Sequence, residues 1–179
     1  MPDAELHPAF RFFSDHPCRY AFAHGPDMIR TPAQAVEQGL NCVALAHLLL
    51  KALFAADLPS RHQCVEMFYD NPHLQAVPGL AALQTGDVVF VGRAGIQEQL
   101  DAFAPRYDSA GELVNWREFP GLHVALYTGL MAADTTPLLI HANPIDNGVG
   151  FWSWQQMLRV PRYSMIYAIK RRVIPVSAP

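Results

Sequence analysis

The chain is short of charge, and it has no concentrated positive patch. Of its 179 residues, 16% are charged and 51% are hydrophobic, and the formal net charge is -3. Intrinsic disorder requires the opposite balance, so the composition predicts a folded domain with a sizeable core. No stripe of Lys and Arg alternates with aromatic residues. Nucleic acid is therefore an unsuitable partner, because binding to the phosphate backbone needs concentrated positive charge.

Signals for membrane insertion and secretion are also missing. The most apolar run, Val43–Ala56, is interrupted by His47 and Lys51 and is too short to span a bilayer. Residues 1–10 carry acidic side chains and no apolar core of a signal peptide. By default these features predict a cytoplasmic protein without a membrane span. They leave export by another route and the oligomeric state open.

The three cysteines do not form the pattern of a disulfide framework or of a metal site. Cys18, Cys42 and Cys64 are odd in number and have no framework spacing. The sequence contains neither a Cys-x-x-Cys nor a His-Glu-x-x-His motif, so zinc is not predicted. We therefore expect no metal ligands and no cofactor.

The first half of the chain has the signals of helices. Thr31–Gln34 has the pattern of a capping box and predicts the start of a short helix. Asn41 is a suitable N-cap for the next helix, which we expect from Cys42 to about Ala56. That segment is apolar nearly all the way round, which indicates a helix buried on most faces. Ser60–Gln63 repeats the capping pattern and predicts a third helix.

The second half has the signals of strands. Leu83–Asp87 predicts a turn that leads into the apolar strand Val88–Val91. Residues 93–120 are less regular and could be an insertion. Helices first and strands afterwards predict an α+β fold, with one domain over residues 1–179 and a sheet packed on the central helix. The other expected elements are strands at about 122–128, 137–142 and 163–173, and a helical turn at 152–158.

Cys42 has the position that a catalytic cysteine needs. It falls in the first turn of the central helix, where unpaired N–H groups and the helix dipole favour a negative charge. A thiol is nucleophilic as its thiolate, so we predict a lowered pKa for Cys42 and a role as nucleophile. The same N–H groups could bind the oxyanion of a tetrahedral intermediate.

His123 is the candidate general base. It begins a predicted strand in which alternation puts His123, Ala125 and Tyr127 on one face, and we expect that face to meet the start of the central helix. A third group should accept the other N–H of the imidazole. His141 and Asn143 are both candidates, and we favour His141 because it lies within the apolar strand.

Four segments, taken in order, resemble the NlpC-type peptidases of the papain-like cysteine peptidase and amidase superfamily. They are GLNCVALAHLL, LQTGDVVFVG, GLHVALYTG and LLIHA. The matching positions are Cys42, Gly86–Asp87, His123–Val124 and Ile140–Ala142, and the likeness extends from Tyr20 to about residue 172. That family hydrolyses amide bonds in bacterial cell-wall peptides with a cysteine, a histidine and a third polar residue. The resemblance implies a papain-like fold with N-terminal helices and a central cysteine-bearing helix packed on an antiparallel sheet.

The resemblance also implies which residues bind substrate. Tyr20 resembles a family tyrosine that lines the substrate site. Asn41 and Val43 take the positions of an aspartate and a serine that help to hold the free amine of a wall peptide. Asn143 is the remaining candidate for substrate binding. The catalytic residues that the resemblance implies are Cys42, His123 and His141.

Together these features predict a cysteine hydrolase that cleaves an amide bond in a peptide through a thioester acyl-enzyme. The resemblance implies a peptidoglycan-type peptide as the partner. Two alternatives stay open. One is an acyltransferase or thioesterase that uses the same two residues, and the other is a non-catalytic binding module with the same fold.

Overall fold

A computed structural model describes residues 5–58, 64–69 and 71–173, and these residues combine α-helices with one antiparallel sheet. This confirms the predicted α+β class. The described helices are α1 (Pro8–Asp15), α2 (Pro32–Gln38), α3 (Cys42–Phe54), α4 (Cys64–Phe68), α5 (Gln97–Ala102) and α6 (Trp154–Leu158).

The sheet has six strands, and every neighbouring pair is antiparallel. The strands lie in the order β1-β6-β2-β3-β4-β5. Residues 93–122, which contain the less regular segment, connect β2 to β3 and include α5. The strands are β1 (Leu74–Ala76), β2 (Val88–Gly92), β3 (His123–Met131), β4 (Pro137–Asn143), β5 (Gly148–Ser153) and β6 (Met165–Arg172).

The central helix α3 begins where the sequence predicts it. The side-chain oxygen of Asn41 accepts hydrogen bonds from the backbone N–H groups of Val43 and Ala44, at 3.0 and 2.9 Å. These bonds satisfy two donors that a helix start leaves unpaired. The capping box predicted at Thr31–Gln34 is likewise present at the start of α2.

The two faces of the sheet bury separate apolar clusters. Val124 and Leu126 of β3 pack in one cluster with α1 and α3. Ala125 and Tyr127, which alternate with them, pack in a second cluster with α6. The sheet is therefore covered on both faces, with the long central helix on one side and the short helix α6 on the other.

The turn before β2 shows why Gly86 and Asp87 are suited to their positions in the segment that resembles the peptidase family. Gly86 has a φ of 87°, and a Cβ there would lie 2.9 Å from a methyl carbon of Leu53. Glycine is favoured because it alone adopts this backbone conformation without strain. The buried carboxylate of Asp87 accepts a hydrogen bond from the backbone N–H of Gln84 and pairs with Arg171 at 2.8 Å.

Two further predictions can be compared with the structure only over the residues that it describes. The capping pattern at Ser60–Gln63 lies outside the described residues, and α4 is described from Cys64 onward. In the described ranges, no helix has both the length and the apolar character that crossing a membrane requires.

Candidate active site

A cavity of about 410 Å³ lies where the first turn of α3 meets the start of β3. Cys42 and His123 both line this cavity, and so does Tyr20. The structure thus brings together three of the residues that the sequence singles out. The other lining residues are Phe22, Arg93, Ile96, Pro120–Leu122, Pro144, Arg162 and Tyr163.

The thiol of Cys42 is held in a partly buried position at the head of α3. Burial raises the pKa of this thiol above its ordinary value, while hydrogen bonds from the backbone N–H groups of Val124, Cys42 and Val43 act in the opposite direction. The structure therefore differs from the expected lowering of the pKa. Loss of solvent outweighs the helix N-terminus, because a thiolate loses more hydration than a thiol does.

His123 reaches the cavity by a different geometry from the one that the sequence predicts. Its strand neighbours Ala125 and Tyr127 face the cluster around α6, not the central helix, so the predicted face is wrong. The residue that packs toward α3 is Val124. Cys42 and His123 instead line one cavity at the start of β3.

The imidazole of His123 is paired with that of His141. Nε2 of His123 lies 2.8 Å from Nδ1 of His141, and the ring of Tyr163 packs against His123 at a tilt of 31°, with the ring centroids 4.4 Å apart. The described hydrogen bonds of His123 go to His141 and not to the Cys42 sulfur. Such bonds between a nucleophile and its base are often long before substrate binds. Nδ1 of His123 is thus the ring nitrogen left for a reacting group.

The chain of polar contacts continues behind His141. Nδ2 of Asn143 lies 3.3 Å from Nε2 of His141 and donates to the Asp146 carboxylate at 2.8 Å. The indole N–H of Trp152 donates to the same carboxylate oxygen at 2.8 Å. A Cβ on Gly150 would lie 2.1 Å from that oxygen, so a glycine leaves the room that the carboxylate needs.

The orientation of the Asn143 amide decides where the imidazole protons lie. Its oxygen accepts from the backbone N–H groups of Ile145 and Asp146, both at 2.9 Å, which turns Nδ2 toward His141. A donor facing Nε2 of His141 favours a lone pair there, so neutral His141 carries its proton on Nδ1 and donates it to His123. Neutral His123 then carries its own proton on Nδ1.

Both imidazoles are neutral at pH 7. Burial lowers the pKa of His123 well below its ordinary value, and the nearby His141 and Arg162 lower it further. Burial also lowers the pKa of His141 to about 4, although the charge of Asp146 acts against this. Since the thiol pKa is raised and the imidazole pKa is lowered, the resting pair is a thiol beside a neutral imidazole.

The other predicted substrate residues lie elsewhere. Asn41 is buried and its side chain caps α3, while its amide nitrogen donates to the backbone oxygen of Phe22 at 3.0 Å. Val43 is buried in the core beside it. Neither residue lines the cavity. Asn143 is fully buried and contacts His141, so it lies behind the imidazoles.

Three polar residues of the cavity wall were not predicted. Arg93 follows β2, and Arg162 and Tyr163 lie in a turn just before β6. No local motif marks any of them, because they reach the cavity only through the strand order of the sheet. The one signal in the sequence is the isolated Arg162-Tyr163 pair ahead of the last strand.

No metal centre accompanies the site in the part of the chain that the structure describes, where no three His, Cys, Asp or Glu side chains are grouped as ligands.

The chain was also compared with known proteins. It matches no protein-family model, no curated protein and no solved structure among those compared.

Proposed function

We propose that this chain is a cysteine hydrolase that cleaves an amide bond in a peptide through a thioester acyl-enzyme. The observation that carries the proposal is that Cys42 and His123, distant in sequence, line one cavity. A thiol and an imidazole in that arrangement are the two groups that nucleophilic acyl transfer requires. The resemblance to NlpC-type peptidases supports the same reading and extends it to a papain-like fold.

In the proposed reaction the Cys42 sulfur attacks the amide carbonyl while its proton passes to Nδ1 of His123. The tetrahedral oxyanion accepts a hydrogen bond from the backbone N–H of Cys42, which also contacts the sulfur. His123 then returns the proton to the leaving amine, which departs and leaves a thioester. Water, deprotonated by the same imidazole, hydrolyses that thioester and restores the thiol.

His141 has the proposed role of a positioning residue. For His123 to accept a proton at Nδ1, its own proton must lie on Nε2 and be donated to Nδ1 of His141. The proton of His141 then lies on Nε2, opposite the Asn143 amide nitrogen at 3.3 Å. The reactive form therefore differs from the resting form by one tautomer change in each imidazole.

The substrate class in this proposal is a peptide amide of the peptidoglycan type, and it rests on the resemblance. The family motif Asp-Cys-Ser-Gly is replaced here by Asn41-Cys42-Val43-Ala44. Asn41 has an uncharged amide, which caps α3, so this position offers no carboxylate to hold a substrate amine. We therefore propose the reaction class without the amine specificity.

The proposal is tested by mass spectrometry with a panel of peptidoglycan stem peptides. We expect cleavage by the wild-type protein, and a thioester adduct on Cys42 after a rapid acid quench. Cys42→Ala abolishes both, whereas Cys64→Ala retains both because Cys64 does not line the cavity. An adduct that is released only when an amine or thiol acceptor is added would favour the acyltransferase. No adduct and no cleavage with any peptide would contradict the proposal and favour a binding module.

A further inference from the structure

The wall of the cavity carries positive charge and no negative charge. Arg93 and Arg162 line it from two different segments, and none of the described residues that line it is an aspartate or glutamate. Asp146 does not line the cavity, and its carboxylate accepts hydrogen bonds from Asn143 and Trp152. The two arginines are therefore not neutralised from within the site.

Among the described residues, no carboxylate forms an ion pair with either arginine. In residues 5–58, 64–69 and 71–173, the arginines that form ion pairs are Arg11, Arg106 and Arg171. The guanidinium carbon of Arg162 lies 5.7 Å from the centre of the Tyr163 ring, which holds its charge beside the cavity. Arginine is suited to binding a carboxylate, because its planar fork of N–H donors matches the two oxygens.

The charge of Arg162 changes the pKa of ionisable groups around the reacting atoms. It contributes to lowering the pKa of His123, after burial and His141, and it partly offsets the raised pKa of Tyr20 and of Tyr163. Burial is the main cause of the raised pKa of both phenols, so both stay protonated at neutral pH. A protonated Tyr20 hydroxyl in the same wall can donate a further hydrogen bond to an anion.

From this charge distribution we propose that Arg93 and Arg162 form an anion subsite that binds a carboxylate of the substrate next to the scissile amide. The inference rests on the proposed function and narrows its substrate class to acidic peptides. This specificity is opposite to that for a free amine. A site for a free amine would need a carboxylate in place of Asn41 or in the cavity wall. An anion that enters the cavity is attracted by two exposed guanidinium groups, and salt screens this attraction.

The subsite is tested with a pair of alkylating agents that differ in charge. Iodoacetate and iodoacetamide both form a bond from the Cys42 sulfur to carbon and release iodide, but only iodoacetate is an anion. The ratio of their rates at Cys42, measured by mass spectrometry of the Cys42 peptide, is compared with the ratio for the uncharged thiol 2-mercaptoethanol in the same buffer. We expect the ratio at Cys42 to be higher by about tenfold at low ionic strength, and to fall toward that of 2-mercaptoethanol in about 1 M NaCl.

Variants that each remove one positive charge show which arginines raise the ratio. Arg162→Gln and Arg93→Gln should each lower the ratio by about threefold, and the double variant should bring it to the value for 2-mercaptoethanol. Arg159→Gln is the control, since it removes the same charge at the end of α6, outside the cavity wall. Arg162→Lys keeps the charge and should keep most of the ratio, which separates an electrostatic effect from damage to the fold.

The outcome distinguishes the subsite from the proposed function. A ratio equal to that of 2-mercaptoethanol, or an equal fall in Arg159→Gln and Arg162→Gln, would overturn the subsite. The rate with iodoacetamide alone, compared between wild type and His123→Ala, reports on the catalytic pair. A high ratio together with an iodoacetamide rate that does not depend on His123 would sustain the anion subsite and reject the hydrolase.

Discussion

Replacement of Arg171 by methionine is expected to destabilise the fold by about 3 kcal/mol. The Arg171 guanidinium contacts both carboxylate oxygens of Asp87, Nε to Oδ1 and Nη2 to Oδ2, each at 2.8 Å. The Asp87 side chain is 1% exposed and that of Arg171 is 32% exposed. Methionine keeps most of the apolar stem but leaves a buried carboxylate without its partner. We take the lower end of the usual cost because Arg171 remains partly hydrated.

This effect is measured by thermal and urea unfolding at pH 7. A loss of about 3 kcal/mol in a chain of this size lowers the Tm by roughly 6–12 °C. Addition of Asp87→Asn to Arg171→Met should recover about 1 kcal/mol or more, because most of the cost is the stranded charge. Arg106→Met is the matched control, since the Arg106–Glu118 pair is 64% and 61% exposed and should contribute less than about 1 kcal/mol. Equal destabilisation by the Arg171 and Arg106 substitutions would show that the burial of Asp87 does not determine the cost.

Two further predictions concern the protonation of histidines inside the fold. The pKa of His47 and of His141 is lowered to about 4 by burial. The unfolded chain therefore binds protons that the folded chain does not, and stability falls from pH 6.5 down to about 4, by about 2 kcal/mol per histidine at pH 5. His47→Leu should remove its share of the loss in unfolding experiments at pH 7 and 5, and an unchanged loss would reject this origin. The double variant Asn143→Asp, Asp146→Asn gives Nε2–H of His141 an acceptor, so alkylation of Cys42 at pH 7 should be faster by about threefold; an unchanged rate would show that the tautomer does not limit reactivity.

The sequence predicts best the features that depend on neighbouring residues. The Asn41 cap, the start of α3 at Cys42 and the turn at Gly86–Asp87 all follow from local backbone chemistry. The strand that begins at His123 was likewise predicted from alternation and a preceding turn. These elements determine where the thiol and the imidazole lie along the chain.

The features that depend on the layers of the fold were not predictable in this way. Alternation correctly groups His123 with Ala125 and Tyr127, but it does not say which side of the sheet carries the central helix, and the chosen side was wrong. The expected lowering of the Cys42 pKa was missed for a related reason, since burial is a property of the assembled fold. Arg162 enters the site only because the turn before β6 is brought to the cavity.

The most direct test of the central claim is the pH dependence of Cys42 alkylation by iodoacetamide, measured at the Cys42 peptide in wild type and in His123→Ala. We expect the wild-type thiol to react across neutral pH because a neutral imidazole takes its proton. We also expect His123→Ala to lower the rate at pH 7 by at least about tenfold and to move the profile to higher pH, since burial raises the pKa of the unassisted thiol. Superimposable profiles for the two proteins would contradict the pairing of Cys42 with His123.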